Sequence, residues 1–149
     1  MITDKEIKIS KGLDGLQFGK SIDYTVQQLG QPDHIEELEG MDEENSIAYI
    51  YDEQHLIVFF EGINDRFLTI IETKDPETTL FGQKIFKMDE IAIHKLMKDN
   101  QYEELDTEVL TWGGKRVSFE DANIDFYFED NQLSAVNWGA FITEADEMA

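Results

Sequence analysis

The feature that most constrains this chain is that its apolar positions come round twice in the same order. Phe18-Gly19-Lys20-Ser21-Ile22 returns as Phe81-Gly82-Gln83-Lys84-Ile85, and Leu29 with Glu36-Glu37-Leu38 returns as Leu96 with Glu103-Glu104-Leu105. Tyr49, Tyr51, Leu56, Val58 and Phe60 return as Val117, Phe119, Ile124, Phe126 and Phe128, and Leu68 and Ile71 as Leu133 and Val136. Self-similarity at a fixed period signals a repeated supersecondary unit, here of about 65 residues. The offset changes only between segments, where loops accept insertions.

Each unit reads as a short helix followed by an antiparallel meander. In the first, Glu6–Ile9 is a lead-in strand, Ser21 is the N-cap and Asp23 sits in the first helical turn, where a negative charge favours the dipole. Gly30 and Pro32 end that helix. Strands are expected at His34–Leu38, Ile47–Tyr51, Leu56–Phe60 and Phe67–Glu72. In the second, a helix over Met88–Lys98 carries Ile93, Leu96 and Met97 on one face. Strands follow at Tyr102–Leu105, Val109–Trp112, Lys115–Glu120, Ile124–Glu129 and Leu133–Trp138, with Gly113-Gly114 and Asp130-Asn131 as turns. The expected fold class is therefore α+β: two tandem repeats, each a short helix packed on an antiparallel β-meander, fused into one body. The boundaries fall at residues 1–76 and 77–142, with an acidic flexible tail at 143–149.

Charge narrows the partners. Thirty-three acids against twelve bases give a formal charge of −21, which repels nucleic acid and anionic membrane and attracts cationic surfaces. The chain has no cysteine, so disulfides, thiolate metal sites and thiol nucleophiles are excluded, a usage that suits a reducing cytoplasm. Met1–Glu6 lacks a basic stretch followed by an apolar run and does not read as a secretory signal.

Chemistry-bearing motifs fail on spacing. Gly15-Leu16-Gln17-Phe18-Gly19-Lys20-Ser21 has three residues between its glycines where a phosphate loop needs four. Asp121-x-Asn123-x-Asp125 starts like a calcium loop, but Phe126 stands where its glycine belongs and Gln132 where its glutamate belongs. His34, His55 and His94 are scattered. No catalytic residue, metal ligand or cofactor is assigned, and the chain is not read as an enzyme.

What remains is a surface. Ile124-Asp125-Phe126-Tyr127-Phe128-Glu129 alternates cleanly, whereas Leu56-Ile57-Val58-Phe59-Phe60 places Ile57 and Phe59 on the face away from the core. Such a pair calls for cover by the other repeat, a second chain or a partner. Tyr127, Trp112 and Trp138 join them as candidate contacts, with Glu39, Asp42, Glu43 and Glu44 of the acidic run as an electrostatic rim. The same aromatics could instead form the seam between the repeats.

Phe18-Gly19-Lys20-Ser21, Leu29-Gly30-Gln31-Pro32-Asp33, Tyr49-Ile50-Tyr51 and the Phe-rich strand, with the second unit opening at Leu80-Phe81-Gly82, resemble the helix-plus-meander unit of the beta-lactamase inhibitor protein and of small outer-membrane-assembly lipoprotein domains. The resemblance covers nearly the whole chain and extends to uncharacterised bacterial proteins with two such units and to small acidic immunity proteins. It implies a joined pair of sheets whose concave face holds a partner protein. The absent cysteines set this chain apart from the secreted inhibitor and from the lipidated assembly factors. The expectation is a non-catalytic, cytoplasmic binding module, monomeric or homodimeric, that sequesters a basic toxin or enzyme. The alternatives are an acidic mimic of nucleic acid and a self-associating scaffold.

Overall fold

Alternating apolar residues dominate the second and fourth quarters of the chain, and in a computed structural model of the protein they become one sheet. The structure describes residues 3–39, 45–62, 65–103, 105–111 and 113–140. The chain begins with three short strands, β1 (Ile7–Lys8), β2 (Gly12–Leu13) and β3 (Leu16–Gln17), then α1 (Ile22–Leu29). The meander β4 (His34–Glu39), β5 (Asn45–Tyr51), β6 (Leu56–Gly62) and β7 (Phe67–Thr73) follows. A small hairpin, β8 (Thr79–Leu80) and β9 (Gln83–Lys84), leads into α2 (Glu90–Asp99). The chain then runs through β10 (Leu105–Val109), β11 (Lys115–Phe119), β12 (Ile124–Glu129) and β13 (Gln132–Gly139).

The two meanders are not separate helix-plus-sheet repeats, which corrects the expected α+β class. The described structure is mostly β, and its main body is one eight-stranded antiparallel sheet in the order β10-β11-β12-β13-β7-β6-β5-β4. The joint is the antiparallel β13–β7 ladder, where Trp138 pairs with Ile71 and Asn137 with Glu72. Strand edges left unpaired expose a row of backbone donors and acceptors, and pairing β7 with β13 removes two such edges at once. Contacts across the expected boundary at 76 and 77 reinforce this. Thr79 donates its backbone N–H to Lys5 at 2.9 Å, Gly82 donates to the Glu6 carboxylate at 2.7 Å, and the Trp138 indole donates to the Gly12 carbonyl at 3.2 Å.

One core serves the whole sheet. Val58, Phe60, Leu68, Ile71, Val117, Phe126, Val136 and Trp138 line one face and are buried. They pack under Leu29 of α1, Ile93 and Met97 of α2, and Leu13, Leu16, Leu80 and Ile85 of the hairpins. The helices form where the local chemistry asks for them. The Ser21 hydroxyl accepts from the Tyr24 N–H at 3.1 Å and Gly30 ends α1 at φ 83°. The Asp89 carboxylate accepts from the Ala92 N–H at 2.9 Å and starts α2 two residues later than the periodicity alone predicts. Asp130 and Asn131, both at positive φ, make the tight β12–β13 turn.

The two strands expected at Tyr102–Leu105 and Val109–Trp112 are replaced by the single β10 between them. Tyr102 is held off the sheet by stacking on Phe81, and the Glu103 N–H is taken by the Asp121 carboxylate at 3.1 Å. At the other end, the Gly113 N–H donates to the Leu110 carbonyl and turns the chain back.

Two bulges preserve the facing of the side chains. Phe59 pairs with Ile70 and Phe60 with Leu68, so Thr69 is extra; its hydroxyl donates to the Phe59 carbonyl at 3.4 Å. Tyr127 pairs with Ala135 and Phe128 with Leu133, so Ser134 is extra; its hydroxyl donates to the Tyr127 carbonyl at 3.0 Å. Each extra residue bends its strand and lets apolar side chains before and after it return to the core.

Candidate functional site

Both helices and both small hairpins pack on one face of the sheet, and no described element packs on the other. Strand parity decides what this open face presents. One rung crosses all eight strands: His34, Ile50, Ile57 and Glu72 on β4 to β7, then Asn137, Asp125, Ser118 and Asp106 on β13 to β10. A neighbouring rung holds Glu36, Ala48, Phe59 and Ile70, ending on Gly139. A third, on the other side, holds Ala135, Tyr127, Arg116 and Glu108.

The β5 to β7 half is apolar. Ile50, Ile57, Phe59 and Ile70 are each half-buried by one another, so part of every side chain still meets water. At its end an open hollow of about 180 Å³ lies between Ile50, Ile57, Glu72, His55 and Lys74. Carboxylates surround the apolar group: Glu36 beside Ala48, Glu61 beyond Phe59, and Glu72 beside Ile57. This is the residue distribution of a contact surface, with an apolar centre and a charged rim.

The β10 to β13 half is polar and its groups satisfy one another. The Arg116 guanidinium reaches Asp106 and Glu108, each at 3.2 Å, and donates to the Ser118 hydroxyl, which in turn donates to Asp125. Partial burial works against the charge on Arg116, but the hydrogen bonds it donates to Asp106 and Glu108 outweigh this and hold the guanidinium above its ordinary value. Asn137 donates to the Tyr127 phenol oxygen at 3.2 Å. Desolvation, only partly opposed by that hydrogen bond and aided by Asp125 and Glu72, raises the Tyr127 phenol above its ordinary value.

The expected contact residues divide on this map. Ile57, Phe59 and Tyr127 share the open face. Trp138 does not: it is 1% exposed, on the opposite face, with its indole N–H bonded to Gly12. The physical reason is parity, because Trp138 pairs with Ile124 and Ile71, both core residues, and so points at α1 and α2. Trp112, Asp42, Glu43 and Glu44 lie outside the described residues, as do the tail at 143–149 and the side chain of Glu39. Sequence reasoning missed Ile50, Ile70 and Arg116. The first two belong to continuous apolar runs in which alternation gives no parity, and one arginine among twelve bases carries no signal until three carboxylates are seen around it.

The other cluster with chemical potential lies on the helix side. Glu90 of α2 takes Lys115 at 2.9 Å, and His94 Nε2 is buried 3.3 Å from the same carboxylate without hydrogen-bond alignment. The His94 ring stands edge-on to Phe119 at 6.0 Å. The partly buried His94 ring thus rests against the core. Two larger open hollows, of about 400 and 380 Å³, lie along Leu29, Tyr51 and Lys5 and along Lys8, Lys11 and Phe18. Among the described residues no three of His, Asp and Glu converge as a cation's ligands, and no helix is long and apolar enough to cross a membrane.

No family model matches the sequence, and no curated protein matches it. A solved crystal structure of an extracellular protein containing an SCP domain, from Bacillus anthracis str. Ames, is similar over 91% of this chain and 50% of that one. The identity is 11% and the TM-score 0.46, a likeness too distant to inform the fold or the activity. This chain spans half of that protein's length.

Proposed function

We propose that this chain is a non-catalytic protein-binding module of the immunity or inhibitor type, taking a cationic partner on the open face of its sheet. The observation that carries the reading is the group Ile50, Ile57, Phe59 and Ile70, each only partly buried and set in carboxylates on a face that no described element covers. Apolar surface of this kind contributes free energy when a partner removes it from water. The surrounding acids, in a chain of net charge −21, steer cationic proteins to it and repel nucleic acid and other copies of the same chain. The hydrogen-bonded Arg116 half gives the face shape and register.

Site-specific photo-crosslinking in the native host tests this. A benzophenone side chain at Phe59 is expected to capture a basic protein, in a yield that falls with salt, while the same group at Ile91 on the helix side captures nothing specific. Equal capture from both positions, or capture of an acidic or neutral protein at a yield indifferent to salt, contradicts the reading.

A further inference from the structure

Like the described side chains of β4 at the other edge of the sheet, all five residues of the edge strand β10 are exposed. Its side chains sort by face. Leu105 and Val109, 46% and 78% exposed, share the helix-side face with Thr107, while Asp106 and Glu108 stand on the open face. An exposed, flat edge carrying large apolar side chains is a site where another strand can add, and proteins usually blunt such edges with lysine, proline or bulges.

The backbone of β10 is directed for such an addition. Leu110 donates its N–H to the Gly114 carbonyl at 2.8 Å, so 110 and 114 form a hydrogen-bonded pair. Antiparallel pairs alternate, so Glu108 with Arg116 and Asp106 with Ser118 are also hydrogen-bonded pairs. Leu105, Thr107 and Val109 fall between them and aim their N–H and C=O groups away from β11, at an edge where no described strand lies. A strand added there hydrogen-bonds at those three residues. Its residues facing Asp106 and Glu108 sit in the closer, non-hydrogen-bonded pairs, about 4.5 Å apart at Cα.

Charge then selects the occupant. A second copy pairing about Thr107 sets Asp106 against Glu108 twice, which places like charges in the closest pairs and is unfavourable. Asp106, Glu108 and Asp125 share the one guanidinium of Arg116, so the cluster keeps a negative excess. We infer that β10 accepts, by strand addition, an extended segment of a partner in which basic residues alternate with apolar or threonine residues, the pattern Val-Lys-Thr-Lys-Val. The lysines meet Glu108 and Asp106, and the valines meet Val109 and Leu105. This rests on the cationic-partner reading but uses the sheet's edge, so the two fail separately.

The probe is a blocked synthetic heptapeptide, Thr-Val-Lys-Thr-Lys-Val-Thr, titrated into the ¹⁵N-labelled protein and followed by amide shifts. The expected result is saturable shifts centred on Leu105–Val109. Replacing both lysines with glutamate weakens binding at least about tenfold, and so does Thr107→Pro, which removes an outward N–H without touching the β11 ladder. Phe59→Ser leaves the peptide affinity unchanged. Dispersion of the β11 to β13 amides checks that Thr107→Pro stays folded. Should it unfold, the Asp106→Asn, Glu108→Gln double variant takes its place, with the same expected loss. Absence of binding, shifts centred on β4 or on Ile57 and Phe59, or full affinity in Thr107→Pro (in the double variant, if that replaces it) overturns the inference.

Discussion

The two halves of the open face are built from the same strand geometry and do opposite things with it. Between β5 and β7 the rungs hold Ile50, Ile57, Phe59 and Ile70, which cover one another incompletely. Between β10 and β13 they hold Arg116, Ser118, Asp125, Tyr127 and Asn137, which hydrogen-bond to one another. A polar group already satisfied gains little from a partner and resists losing its bonds. A half-covered apolar side chain gains whatever area a partner removes from water. On the proposed function, the difference separates the half that offers a partner apolar contact from the half that braces the sheet.

The largest effect that could break this comparison is on affinity for the captured partner. Ile57→Ala with Phe59→Ala is expected to weaken binding about a hundredfold, in the range of interface hot spots, while Tyr127→Phe changes it less than about threefold. Calorimetric titration of the three proteins decides it, and similar losses from both halves would remove the distinction.

Stability should divide the other way. Arg116→Met strands three carboxylates and is expected to cost about 1.5 kcal/mol at neutral pH, discounted for their exposure, read from the urea midpoint. Raising the salt concentration screens the repulsion among those acids and shrinks the deficit. A deficit indifferent to salt would show that the arginine acts through packing alone.

A smaller effect comes from Tyr127. Its phenol is raised in the folded protein, so its contribution is fully present below the ordinary value near pH 10 and is lost as pH rises through the raised one. Tyr127→Phe is expected to remove that part of the alkaline loss while costing about 1 kcal/mol at pH 7 for the bond from Asn137. Tyr51, held at about 12 by burial and by Tyr49 and Asp33, provides a second late-titrating phenol in both proteins. Absorbance at 295 nm against pH distinguishes them.

The smallest predicted difference lies at the bulges. Ser134→Ala, which loses a 3.0 Å bond, should destabilise by about 1 kcal/mol, and Thr69→Ala, which loses a 3.4 Å bond, by less. The reverse order would count against the hydroxyls as the device that holds the register.

Much of the local structure was legible in the sequence because its signals are local. The Ser21 cap, the Gly30 stop, the Asp130-Asn131 turn and the alternation of β12 need only neighbouring residues to be read. The architecture was not legible, because the β7–β13 pairing joins residues far apart in the chain and leaves no mark on periodicity. Trp138 was misplaced although its parity with Val136, two residues before it on the same strand, sets it on the core face. The open-face position of Phe59 was legible through its parity with Val58 and Phe60, whereas that of Ile70 emerged only with the bulge at Thr69.

The most direct test of the central claim is the pair of rate constants for the crosslinked partner at low and high ionic strength, for wild type and for Ile57→Ser with Phe59→Ser. If the apolar half holds the partner and the surrounding acids steer it, salt slows association in both proteins, and the double variant speeds dissociation by about a hundredfold with little change in association. Dissociation that is the same in wild type and variant would contradict the account.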